Sequence, residues 1–227
     1  MNELSIPEKF LIIAHHPDKG RFRITPIHLK YGLIGALLLE MSVEGSIDLE
    51  NGKLVPGNEV KPSHPILENF MNKISGANRS HHIRNWIRRF ALKSDHFKWQ
   101  LLGDLEKQRI LRIEHLKILG LIPLRRSYLM HKKLQYDLIR EARNSIMQRG
   151  EIKEAQLALL GLVHACKMLK IVGRERTERK VIHRKLRELL KESPIAEGVD
   201  QTIRQIHAAI IVAVATSGAA ASAGGGK

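Results

Sequence analysis

The chain has 227 residues, with 38 Lys and Arg against 23 Asp and Glu, a formal charge of +15, and 43% hydrophobic residues. That apolar share excludes a disordered chain and can fill one sizeable core, while the positive excess attracts polyanions, nucleic acid and anionic lipid headgroups foremost. One cysteine, Cys166, excludes an intrachain disulfide framework, and the longest apolar run, AAIIVAVA, is far short of the roughly 18–20 residues of a membrane span.

MNELSIPEKF lacks the basic-then-apolar order of a secretory signal, so a cytoplasmic protein is expected. Ser5 and Glu8 stand at capping-box spacing and predict a short apolar helix over Glu8–His15. HHPDKGRF breaks it with Pro17 and Gly20. Pro26 opens the next helix, PIHLKYGLIGALLLEMSV, which is apolar nearly all round from Leu33 and must lie in the core. Asn51–Gly52, between two short alternating segments, predicts a β-hairpin near Ser46–Val55. Amphipathic helices are expected over Ile66–Ser75 and His81–Leu92, and another helix over Phe97–Lys107. RILRIEHLKILGLIPLRRSYL then alternates and turns like a second hairpin, near Ile110–Tyr128, with Gly120 and Pro123 at its turn. Helix followed by hairpin thus occurs twice, in winged-helix-like order.

The second half is helical by pattern. Lys132–Met147 is amphipathic and Glu151–Leu169 largely apolar. Arg174–Lys191 has a basic outer face and an inner stripe of Val181, Leu186 and Leu189. A last helix follows Pro194 and ends near Thr216, and SGAAASAGGGK reads as a flexible tail. Three helices, centred on Leu37, Leu160 and Ile211, are apolar nearly all round and have to be surrounded. The expected fold is mainly α: a central apolar helix bundle wrapped by amphipathic helices, with short β-hairpins. It forms one domain over 1–217, with 218–227 as the tail.

Little in the chain speaks for catalysis. The pairs His15–His16 and His81–His82 point to different faces, with no Cys or carboxylate at ligand spacing, so no metal site is expected. His164 lies two residues before Cys166, off its face on a helix, which excludes a dyad. His164 reads as a hydrogen-bonded core histidine and Cys166 as a small buried apolar residue. There is no paired carboxylate site and no Gly-rich phosphate loop, so neither a cofactor nor catalytic residues are expected. Trp86 shares a helical stripe with Ile83, Ile87 and Phe90 and belongs to the core. Trp99 stays open between core residue and interfacial anchor. Arg84, Arg88, Arg89, Lys93 and Lys98 crowd one stretch, as a solvated face or an anion contact.

The order and spacing of HPDKGRFRI, YGLIGALLLEMSVEGSIDLENGKLV, IRNWIRRF, ILGLIPLRRSYL and LLGLVHACKML, between Leu4 and about Thr216, resemble the Golgi phosphoprotein 3 family. The chain is similar to its shorter, prokaryotic-type members. The resemblance implies a helical, non-catalytic domain that sits peripherally on membranes and recognises phosphatidylinositol 4-phosphate. Eukaryotic members also bind the cytoplasmic tails of Golgi glycosyltransferases, so protein tails are expected partners too. The segment like ILGLIPLRRSY is implied to be a protruding hairpin used for membrane insertion and self-association. Leu121, Ile122 and Leu124 would then reach the acyl boundary while Arg125 and Arg126 stay at phosphate level. The alternative is a hairpin folded back on its own core.

The implied headgroup positions fall on Thr25, Ile34, Asp95 and Lys98, and only Lys98 keeps the family's basic character. Lys93, Lys30 and Arg23 stand nearby as replacements, so Lys98, Lys93, Lys30 and Arg23 are the expected headgroup residues. The expected function is a peripheral membrane protein binding anionic phospholipid. A nucleic-acid-binding module built on the helix-hairpin units is the alternative, opposed by few aromatics and a leucine-rich hairpin.

Overall fold

The computed structural model describes residues 3–57, 61–118, 121–147, 152–192 and 199–223. Helix α1 (Ile6–Ala14) begins with the expected cap: Ser5 N–H and the Ser5 hydroxyl donate to Glu8 at 2.9 and 2.8 Å. It starts two residues earlier than the sequence pattern, because Pro7 sits in the first turn, where a missing N–H costs nothing. Helix α2 (Pro26–Val43) is capped by the Thr25 hydroxyl, which accepts from His28 N–H. Every residue from Tyr31 to Leu39 is buried, and each aliphatic side chain among them contributes about 1.5–3 kcal/mol. Gly32 and Gly35 allow neighbours to approach this axis closely. A Cβ at Gly32 would lie 2.5 Å from Cys166 Sγ and from the Phe10 ring, and a Cβ at Gly35 would lie 2.1 Å from the Ile210 side chain.

Strands β1 (Ile47–Glu50) and β2 (Lys53–Pro56) pair across Asn51–Gly52, whose φ of +50° and +75° are those of a tight hairpin turn. A third strand, β3 (His81–His82), adds to β2, with Lys53 opposite His82 and Leu54 opposite His81. These histidines were expected in a helix. Their backbone instead completes the open edge of β2, a long-range pairing that local periodicity does not register. Helix α3 (Pro65–Ser75) precedes β3, and α4 (Ile83–Ala91) follows it.

Helix α5 (Ser94–Lys107) starts three residues before the expected Phe97. Strands β4 (Leu111–Ile118) and β5 (Ile122–Leu129) form the second hairpin, in register from Leu111↔Leu129 to Ile118↔Ile122. Pro123 is a strand residue opposite Lys117, not part of the turn. A two-stranded ribbon has open edges on both sides, where proline is tolerated.

Helix α6 spans Lys132–Met147 as expected. The predicted Glu151–Leu169 helix is shorter and broken, into α7 (Glu154–Ala165) and α8 (Leu169–Val172). Lys167, at φ +55°, closes α7: its N–H reaches His164 O, and Met168 N–H reaches Val163 O at 2.9 Å. Arg109, at φ +59°, closes α5 the same way, with Ile110 N–H on Leu105 O. The end of α5 at Lys107 agrees with the sequence pattern, whereas Lys167 is neither Gly nor Asn and the break after α7 was not visible.

Helix α9 (Arg176–Glu192) buries Ile182 and Leu186. Val181, expected inside, is only partly buried, and the Leu189 side chain lies outside the described residues. Helix α10 (Val199–Ala223) runs past the expected end at Thr216, because the alanines that follow are strong helix formers. It packs on α2, α4 and α7 and buries Ile206, Ala209, Ile210 and Ala213, while Ile211 is 42% exposed. It is a one-sided helix, not a surrounded one. The fold is mainly α, with α2 at the centre, α1, α4, α5, α7 and α10 around it, and short antiparallel strand pairs.

Candidate functional site

The first turns of α2 and α5 meet at the surface in a cleft of about 210 Å³, lined by Pro26, Leu29, Lys30, Leu33, Ser94, Asp95 and Lys98. Local chemistry places both helix starts there. Pro26 at the first helical position and the Thr25 cap begin α2, and Asp95 in the first turn suits the positive end of α5. The cleft has leucines inside and two lysines on its walls. Lys98 forms a short ion pair with Asp95 one turn earlier, with the lysine side chain 18% exposed and the carboxylate 77% exposed. Asp95 therefore offsets part of the positive charge that an anion would meet.

Of the four expected headgroup residues, the structure brings Lys30 and Lys98 into this cleft. Lys93 is exposed at the N-cap of α5, one residue before the lining begins. Arg23 is exposed on the preceding loop and lies outside the lining, its N–H bound to Ala14 O at 2.8 Å. Thr25 is occupied with capping and with the His28 ring, 2.6 Å from its Nδ1. Ile34 is fully buried, so the position implied for an arginine faces the core; its neighbour Leu33 lines the cleft.

The β4–β5 hairpin is tied down at its base and exposed at Leu121 beside its turn. Leu111 and Leu129 are core residues, and Ser127 Oγ lies 2.9 Å from the buried His15 Nε2. Gln135 of α6 donates to Ile12 O and His15 O at 2.6 and 2.8 Å, fixing the α1 end beneath the hairpin. Burial, the largest cause, holds the His15 imidazole below its ordinary value. Toward the turn, Arg125 and Arg126 are exposed, Leu124 is half-buried, and Leu121 is 85% exposed. The side chain of Ile122 lies outside the described residues. Leu121, the described residue at the turn, does not fold back on the core.

Trp99 joins hairpin and cleft. It packs against the core while the Arg125 guanidinium lies 5.6 Å and the Lys98 ammonium 4.9 Å from its ring centroid. Indole faces attract cations, so this one residue holds a hairpin charge beside a cleft charge. Trp99 is thus partly a core residue, with two cations at its ring, and no local pattern announces the contact.

Cys166 is buried, and burial pushes its thiol up to about 12, which leaves it protonated and unreactive. His164 is half-buried and stacks on His183 at 5.5 Å; it is not the core histidine expected there. That role belongs to His207, whose Nε2 lies 3.0 Å from Ala158 O and whose burial pushes it down to about 4. His16 accepts backbone N–H bonds from Asp18 and Lys19, and His82 Nδ1 bonds Gly52 O, so one histidine of each pair serves a turn. Among the described residues, no group of three or more His, Cys, Asp or Glu is gathered to hold a metal ion. Among them, too, no helix is long and apolar enough to cross a membrane.

Comparison with curated proteins gives no match. The pattern that defines Golgi phosphoprotein 3 (GPP34) matches residues 6–206, from the first residue of α1 into α10, and the chain belongs to that family.

Proposed function

We propose that this protein is a non-catalytic peripheral membrane protein that binds anionic phospholipid. The α2–α5 cleft takes a headgroup, and the tip of the β4–β5 hairpin enters the bilayer. Phosphatidylinositol 4-phosphate is the headgroup that family membership suggests, and a role as an adaptor for protein tails rests on the same ground. The observation that carries the reading is the connected surface from Leu121 through Arg125 and Trp99 to Lys98. It sets an apolar tip, a cationic collar and a lysine-walled cleft side by side. Each basic side chain near an anionic surface contributes about 1 kcal/mol, and inserting one leucine about 1.5–3 kcal/mol. Several weak terms acting together suit reversible association.

Lysines recognise a phosphate as point charges, without the two-pronged geometry of arginine. With Asp95 also facing the cleft, the site favours negative charge in general over one phosphate position. Vesicle flotation across headgroups, with a DNA competitor, tests the reading. Binding is expected to rise with anionic lipid fraction and to fall with salt. Equal binding to neutral and anionic vesicles, or displacement by DNA at matched charge, would overturn it.

A further inference from the structure

Leu92, at the corner between α4 and α5, is 82% exposed, close to the 85% of Leu121 and well above the 57% of Met130. Helix α4 buries Ile83, Trp86, Ile87, Phe90 and Ala91. Leu92 lies off that stripe, so the fold makes no use of its side chain. Around it stand cations. Arg88 and Arg89 precede it by four and three residues, neighbours on a helical surface, and Lys93 follows it, all three exposed. Among the described residues none of the three pairs with a carboxylate. Arg89 is further held 5.4 Å from the Trp86 ring, much as Arg125 is held at Trp99. Two residues beyond Leu92, Ser94 and Asp95 begin the wall of the cleft.

We propose that Leu92 is a second membrane anchor, entering the same anionic bilayer as the hairpin tip. The inference rests on the function proposed above and adds a second point of attachment. An exposed leucine with a cationic collar matches an interface with an acyl layer below and phosphates above it. Leu92 comes two residues before and Trp99 one residue after the stretch of α5 that lines the cleft, so an anchor beside each holds the cleft mouth at headgroup level. One anchor leaves the protein free to tilt. Two, with the cleft residues between them, restrict the angle at which Lys30 and Lys98 meet the membrane.

The test compares wild type, Leu92→Ser and Leu121→Ser on vesicles of phosphatidylcholine with added phosphatidylserine, with a thermal melt of each protein. Leu92→Ser is expected to lower partitioning about tenfold or more while melting like wild type, since the side chain is already in water. Leu92→Cys carrying an environment-sensitive fluorophore gives a second readout. The buried Cys166, with its thiol pushed up to about 12, stays unlabelled. The label is expected to shift to shorter wavelength with anionic vesicles. A Leu92→Ser protein that floats like wild type, or a label that does not shift, overturns this inference alone. So does a wild-type dimer, measured without lipid, that Leu92→Ser abolishes, because the leucine then faces a second copy. A wild type that fails to float at all overturns both this inference and the function it rests on.

Discussion

Arg125 on β5 lies 5.6 Å from the ring of Trp99 on α5, and this contact ties a hairpin with an exposed tip to the helix that walls the cleft. Replacing Arg125 and Arg126 by Ala is expected to weaken binding to anionic vesicles by about 2 kcal/mol, roughly thirtyfold. Its salt dependence should flatten as well. Both side chains are exposed, so the melting temperature should fall by no more than about 2–4 °C, the contribution of the Arg125–Trp99 contact. Flotation at low and high salt, beside a melt, checks this.

The hairpin tip separates membrane contact from core packing. Leu121→Ser is expected to change stability by no more than about 0.5 kcal/mol, because the residue is exposed. Partitioning into anionic vesicles should fall about tenfold or more. Leu129→Ala, at the buried base, should instead cost about 2–5 kcal/mol in a denaturant titration.

Asp95 restrains Lys98 through their ion pair. Asp95→Asn frees the ammonium and removes a negative group from the cleft. Tighter binding to anionic vesicles is expected, with a steeper salt dependence. The lost acid at the start of α5 should cost about 0.3–1 kcal/mol of stability. Unchanged or weaker binding would show that the cleft does not meet the headgroup.

Glu40 supplies a pH-dependent term. Burial, opposed by the Ile6 N–H bond at 2.6 Å, pushes its carboxyl up to about 7 from an ordinary 4.5. Between those values the folded state holds a proton that the unfolded chain releases. The stability this group contributes is therefore present below 4.5 and lost as pH rises through about 7. Glu40→Gln mimics the protonated form. It is expected to be more stable than wild type by about 3 kcal/mol at about pH 8, with the gap closing toward acid. The comparison isolates Glu40, since His207, pushed down to about 4, acts with opposite sign below its ordinary 6.5 in both proteins.

Gly161 tests the centre of the helical packing. A Cβ there would fall on the His207 ring. Gly161→Ala should destabilise by about 1–3 kcal/mol despite alanine's better helix propensity, and a denaturant melt measures it.

What the amino-acid sequence determined by itself is what short-range chemistry controls. The Ser5–Glu8 cap, the Pro26 start of α2, the Asn51–Gly52 turn and the unbroken burial of Tyr31 to Leu39 each depend on neighbours within one or two turns of chain. The hairpin and its basic rim were equally legible, because alternation and a cluster of arginines are local patterns. Other features only the tertiary structure decided. The addition of His81–His82 to β2, the exposed side of α10, the core role of His207 and the meeting of Lys30 with Lys98 all join distant parts of the chain. The helix end at Lys167 is local in sequence but uses a residue that seldom adopts positive φ, held there by the elements that follow. The site shares this division. Its charges can be read from the chain, but their convergence at Trp99 depends on α5 packing beside the hairpin, and on side-chain contacts that no periodicity encodes.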